Sequence, residues 1–137
     1  MKFYLDENFP PGILGTIQLI YSDHEFRSWQ DEGLEGVLDL DLFAILSQRS
    51  FDAIVTRDRR QLTDAAERKG LLDSSLAWIG LRDVRLTGRE KLATTSASLI
   101  AGLGHMMKHR PEQPTAYLIY NVPHAASQRI KAFPLMR

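Results

Sequence analysis

The chain contains no cysteine, which excludes structural disulfides, thiolate zinc sites and cysteine nucleophiles together. Any metal must therefore be held by oxygen or imidazole. No run of about 18 apolar residues occurs, so no membrane span is expected. Two carboxylates, Asp6 and Glu7, arrive before an apolar stretch could reach signal-peptide length, and a cytoplasmic home is the expectation. Internal repeats, low-complexity segments and interdomain linkers are also lacking.

What is present is ordinary globular material: 137 residues, 44% hydrophobic and 25% charged. That length suits one domain over residues 1–137 and is too short for two of common size. The formal net charge is zero, yet the charge is polarised along the chain. Residues 1–56 hold ten acidic side chains against three basic ones, and residues 57–137 hold fourteen basic against seven acidic. An acidic pocket beside a basic surface is compatible with that pattern, and the pairing suits a metal site that works on a polyanion.

Lys2-Phe3-Tyr4-Leu5 reads as a buried strand that delivers Asp6 and Glu7 at its carboxyl end. Pro10-Pro11 suits a helix start, and Ile13, Leu14, Ile17 and Ile20 or Tyr21 share one helical face. A short strand fits His24-Glu25-Phe26. Leu38, Leu42, Ile45 and Leu46 mark a second helix, with Asp39 and Asp41 near its first turn, where carboxylates complement the helix dipole. Ala53-Ile54-Val55-Thr56 is a second clear strand and halts at Arg57-Asp58.

Asp64 and Glu67 fit a capping box opening a short helix over 63–69 that Gly70 stops. Residues 76–81 read as a strand, with Trp78 in the core. Thr87-Gly88-Arg89-Glu90 fits a second capping box, opening a long helix through Met107 that Pro111 and Pro114 end. Residues 116–120 form the last strand, and 121–137 a less regular tail. Strands alternating with helices predict a three-layer α/β sandwich with a central, mainly parallel sheet of four to five strands.

Functional residues of such sheets lie beyond the carboxyl ends of the strands, where Asp6 and Asp58 fall. With Asp39 or Asp41 they form a candidate oxygen-donor set for Mg2+ or Mn2+. Clustered carboxylates repel one another unless a cation, an arginine or a shared proton sits among them. Arg57, Arg59 and Arg60 surround Asp58 and suit phosphate contacts. His105, Lys108, His109 and Arg110 suit a helix carboxyl end, His24 and His124 are isolated, and Trp29 is a weak candidate for base stacking.

Three segments resemble the PIN-like domain superfamily, and more closely its small branch related to VapC-type toxins: Lys2-Phe3-Tyr4-Leu5-Asp6-Glu7-Asn8, Asp39-Leu40-Asp41-Leu42-Phe43, and Ile54-Val55-Thr56-Arg57-Asp58-Arg59-Arg60. The resemblance implies a PIN-like fold and a metal-dependent ribonuclease, the toxin of a type II toxin-antitoxin pair. RNA would be its substrate, and an antitoxin protein and a second copy of the chain its candidate partners. It further implies Asp6, Asp39 and Asp58 as catalytic residues and Asp6, Asp39 or Asp41, and Asp58 as metal ligands. Thr56 would orient Asp58 through its hydroxyl, and Glu7 would support the site. The family's usual additional acidic ligand has no clear counterpart; Asp31, Glu32 and Glu35 are stand-ins. An incomplete set leaves a second reading open, a catalytically lapsed binding or regulatory module on the same fold.

Overall fold

Four of the strands are short, mostly apolar runs whose alternate residues point to opposite faces of one sheet, and the remaining one, Glu25–Ser28, fully buries only Phe26. The computed structural model describes residues 1–7, 9, 11–109 and 112–135. In chain order the elements are β1 (Lys2–Leu5), α1 (Pro11–Ile20), β2 (Glu25–Ser28), α2 (Trp29–Glu32), α3 (Asp39–Gln48), β3 (Ala53–Thr56), α4 (Arg60–Thr63), α5 (Ala65–Asp73), β4 (Ala77–Leu81), α6 (Gly88–Lys108), β5 (Ala116–Ile119) and α7 (Ala126–Arg129). The strands form one sheet in the order β2-β1-β3-β4-β5, and every neighbouring pair is parallel.

One face of the sheet presents Phe3, Leu5, Ala53, Val55, Ile79 and Leu81 to Ile13 and Ile17 of α1 and to Leu99, Leu103 and Met106 of α6. The other presents Tyr4, Ile54 and Trp78 to Leu42, Phe43 and Leu46 of α3 and to Leu71 of α5. Tyr4 pairs with Ile54 and Ile54 with Trp78 across the sheet, so the large side chains of the second face form a continuous row. Each fully buried Leu, Ile or Phe stabilises the fold by roughly 1.5–3 kcal/mol. Among the described residues no helix is long and apolar enough to cross a membrane.

The strand order sets the site. From β1 the chain goes to β2 on one side, then returns past β1 to place β3 on its other side. The carboxyl ends of β1 and β3 therefore flank the point where the winding reverses, the crevice in which such sheets bind ligands.

Three local expectations are corrected. Gly70 lies inside α5 rather than ending it; a Cβ there would sit 2.9 Å from Leu40 Cδ2 and 3.1 Å from Phe43 Cδ2, so glycine allows close approach to α3. The Asp64 side chain does cap α5, accepting the Glu67 N–H at 2.9 Å, but the Glu67 carboxyl turns to Asp39 instead of returning to the cap. Thr87 precedes α6 without any side-chain capping bond. Asn8, Pro10, Arg110, Pro111, Met136 and Arg137 lie outside the described residues, so the roles read for Pro10 and Pro111 have no structural counterpart to compare. The described tail holds one turn of helix, α7, and leaves Ile130, Phe133 and Leu135 exposed.

Candidate active site

Asp6 is the first residue past β1, and its N–H continues the ladder to Val55 O at 3.1 Å. That bond seats Asp6 beside the last residues of β3. Thr56, fully buried at the end of β3, donates its hydroxyl hydrogen to Asp6 Oδ2. The same hydroxyl oxygen accepts the Asp58 N–H at 3.0 Å. One hydroxyl thus joins the two acidic positions, and it orients the Asp6 carboxylate and the Asp58 backbone. The Thr56 hydroxyl meets Asp58 at its backbone N–H, while its hydrogen goes to Asp6.

The Asp58 carboxylate is instead held by Arg60. Nε donates to Oδ1 at 3.0 Å and Nη2 to Oδ2 at 2.9 Å, while the Arg60 N–H adds a bond to Oδ1 at 3.0 Å. The Arg60 side-chain bond is the main reason that the Asp58 pKa falls below the ordinary carboxylate range, outweighing its partial burial.

Across the cleft, α3 supplies Asp39 from its first turn. Its Oδ1 accepts from Gln61 Nε2 at 3.1 Å. The Glu67 carboxyl lies against Asp39; burial first, then the hydrogen bond with Asp39 and repulsion from it, raise the Glu67 pKa. Glu67 Oε2 is shielded from solvent and accepts no hydrogen bond. Two adjoining carboxyls of this kind call for a shared proton or a cation.

Asp6, Asp39 and Asp58 line a single cleft of about 290 Å³, together with Tyr4, Glu7, Gln61 and Arg60. Burial, and next the nearby charges of Asp6, Glu7 and Glu32, raise the Tyr4 pKa, so its phenol stays protonated. Glu7 Oε1 accepts the Gly36 N–H at 2.9 Å, and Gly36 has the positive φ of 72° that favours glycine. That bond ties the loop before α3 to the end of β1.

Other expected residues stand apart. Asp41 is exposed on α3 and does not line the cleft, because two residues along a helix point about 200° apart. Asp31 closes the capping box of α2 with Ser28, Glu32 pairs with Arg27 and Arg49, and Glu35 is exposed; none of these lines the cleft. Arg57 and Arg59 sit on the connection between β3 and α4, but of the three arginines Arg60 alone is in the cleft wall. His105 and His109 lie in a groove against β5. Gln61 and Glu67 were missed by sequence reasoning. A buried glutamine and a glutamate at a capping-box position carry no local signal of a contact with Asp39.

Among the described residues, no group of three or more His, Asp or Glu side chains is arranged to hold a metal ion. The donor chemistry nevertheless fits a hard divalent cation. All candidate donors are oxygens, the buried Glu67 Oε2 lacks a partner beside Asp39, and magnesium commonly uses one or two carboxylates with water and substrate phosphates completing its shell.

A family model described as PIN like domain matches residues 1–82, a span that runs from β1 through β4 and includes every residue that builds the cleft. No curated protein and no solved structure gives a match to the chain. With a five-stranded parallel sheet flanked by helices and an acidic crevice at its winding reversal, the chain belongs to the PIN-like domain family, a nuclease-type fold whose members generally depend on divalent metal.

Proposed function

We propose that the protein is a Mg2+- or Mn2+-dependent endoribonuclease that hydrolyses RNA phosphodiester bonds, acting as the VapC-like toxin of a type II toxin-antitoxin pair. The observation that carries this reading is the Thr56 hydroxyl, which joins Asp6 to Asp58 while Asp39 faces them across one cleft. A bound divalent ion would supply a Lewis acid and a water activated near neutral pH. Asp6, Asp39 and Asp58 would hold it. Thr56 fixes the rotation of Asp6, and Gln61 fixes that of Asp39.

Arg60 has the planar fork that matches a phosphate as well as a carboxylate. On arrival of RNA its guanidinium exchanges Asp58 for a phosphate oxygen pair, which grips the backbone and frees Asp58 in one movement. Arg57 and Arg59, on the adjoining connection, extend phosphate contacts along the strand. A cognate antitoxin protein is the partner this reading expects, and a homodimer the assembly.

Incubation of the full chain and its Asp6→Asn variant with mixed RNA in manganese tests the proposal. Cleavage by the parent chain alone, abolished by EDTA, is expected. Cleavage by both proteins, or cleavage that survives chelation, would refute it. The Arg60 pairing with Asp58 favours a second reading, a lapsed enzyme that keeps the cleft as a binding module. That reading predicts cation binding in a calorimetric titration with no cleavage by either protein.

A further inference from the structure

Gln61 is polar, only 2% exposed, and committed at both ends. Trp78 Nε1 donates to its Oε1 at 3.2 Å, and its Nε2 donates to Asp39 Oδ1 at 3.1 Å. An indole N–H can only donate, so the amide oxygen must face Trp78 and the amide NH2 must face Asp39. The orientation of Gln61 is thereby dictated from the core.

Trp78 is in turn fixed by β4. Its indole lies along the strand over Gly80, where a Cβ would meet Cζ3 at 2.6 Å and Cζ2 at 2.7 Å. Gly80 pairs with Thr56, so the ring runs toward the carboxyl ends of the strands, the side on which the cleft opens. Space at Gly80, the tilt of Trp78, the amide of Gln61 and the rotation of Asp39 form one chain of cause. The Gln61 oxygen, turned toward the core, is not available as a ligand itself.

We propose that Gln61, oriented by Trp78, is a positioning residue that holds the Asp39 carboxylate in one rotation ready for a divalent cation. The inference rests on the metal-binding reading above. A partner that fixes a ligating carboxylate typically affects metal affinity about 10- to 100-fold; the lower end applies here because one oxygen of one ligand is held.

The test uses the full chain, a Gln61→Met variant that keeps volume without the amide, a Trp78→Phe variant that keeps an aromatic core without the N–H, and the double variant. Calorimetric titration with Mn2+ gives the dissociation constants, and Mg2+ titration of the parent chain follows the Trp78 indole N–H by NMR. The expected results are a roughly 10-fold weaker Mn2+ constant in each single variant, no further loss in the double, and an indole resonance that moves with Mg2+. A merely structural glutamine would leave that resonance still. If Gln61→Met fails to fold, Trp78→Phe carries the comparison. Equal Mn2+ affinity in the parent and a folded variant, or additive losses in the double, overturns the positioning role while leaving the metal reading intact. A parent chain that binds no Mn2+ overturns both.

Discussion

Arg60 meets the Asp58 carboxylate with both arms of its guanidinium, Nε on Oδ1 at 3.0 Å and Nη2 on Oδ2 at 2.9 Å. The Arg60 side chain is 85% exposed and that of Asp58 19%, so the pair faces water and contributes little to stability. Its importance is competitive. Any cation that would use Asp58 must first displace a guanidinium already satisfying both oxygens.

Replacing Arg60 therefore separates binding from catalysis. Arg60→Ala is expected to tighten Mn2+ binding roughly 3- to 10-fold, the scale of exchanging a charge-assisted bond in water, and to leave Tm within about 2 °C. RNA cleavage should slow despite the tighter ion, because the phosphate grip is lost. Calorimetry, thermal melts and cleavage rates on the same preparation check this. Unchanged or weaker Mn2+ binding would show that Asp58 is not a ligand.

Thr56→Val keeps the shape of a fully buried side chain but removes the hydroxyl that serves Asp6 and the Asp58 N–H. The loss of two hydrogen bonds around a buried group is expected to destabilise the fold by about 1–3 kcal/mol. Cleavage should fall further than stability explains, since Asp6 loses its rotational restraint. Urea unfolding supplies the first quantity, and rates measured where the variant is fully folded supply the second. A stable variant with parental activity would remove the hydroxyl from the site.

Much of this fold is legible in the chain because all its strands except the polar β2 are short, mostly apolar runs. Leu5-Asp6 and Thr56-Arg57-Asp58 mark strand ends directly, and the crossover helices between them require parallel pairing. The adjacency of β1 and β3 is different: nothing in either run says that the chain first visits β2 on the far side. That Asp39 rather than Asp41 lines the cleft follows from helix geometry once α3 is docked by Leu42, Phe43 and Leu46. Gly70 misleads because its lack of a side chain serves close packing on α3, not helix termination. Gln61 and Glu67 stay hidden, as their meaning comes from Trp78 and Asp39, residues distant in sequence whose approach depends on the whole sheet.

The Asp39–Glu67 contact predicts a pH signature in metal-free protein. The Glu67 pKa is raised above its ordinary 4.5 in the fold, chiefly by burial and then by Asp39. A carboxyl with a raised folded value contributes its stability fully below about 4.5, the unfolded value, and loses it as pH rises through the folded value. Glu67→Gln removes that dependence. In EDTA, the Tm of the variant relative to the parent should rise by about 1–3 °C between pH 4 and pH 8, a modest figure because the group is partly solvated. A difference that is flat with pH, or that falls, would mean that Glu67 carries no such burden.

Gly80→Ala tests the core end of the same connection. The added Cβ would lie 2.6 Å from Trp78 Cζ3 and 2.7 Å from Cζ2, distances that neither a backbone strand nor a large ring can tolerate. Trp78 is 1% exposed and packed in the cluster with Tyr4, Ile54 and Phe43, so the ring cannot swing aside without disturbing that row. Relief requires either strand displacement or a new indole tilt, and overpacking of this kind costs about 1–3 kcal/mol, occasionally more. We expect a Tm lower by about 3–12 °C, a changed Trp78 indole resonance, and weaker Mn2+ binding because the tilted ring no longer dictates the Gln61 amide. A variant as stable as the parent, with its indole signal in place, would show that the ring does not lie over Gly80 in solution.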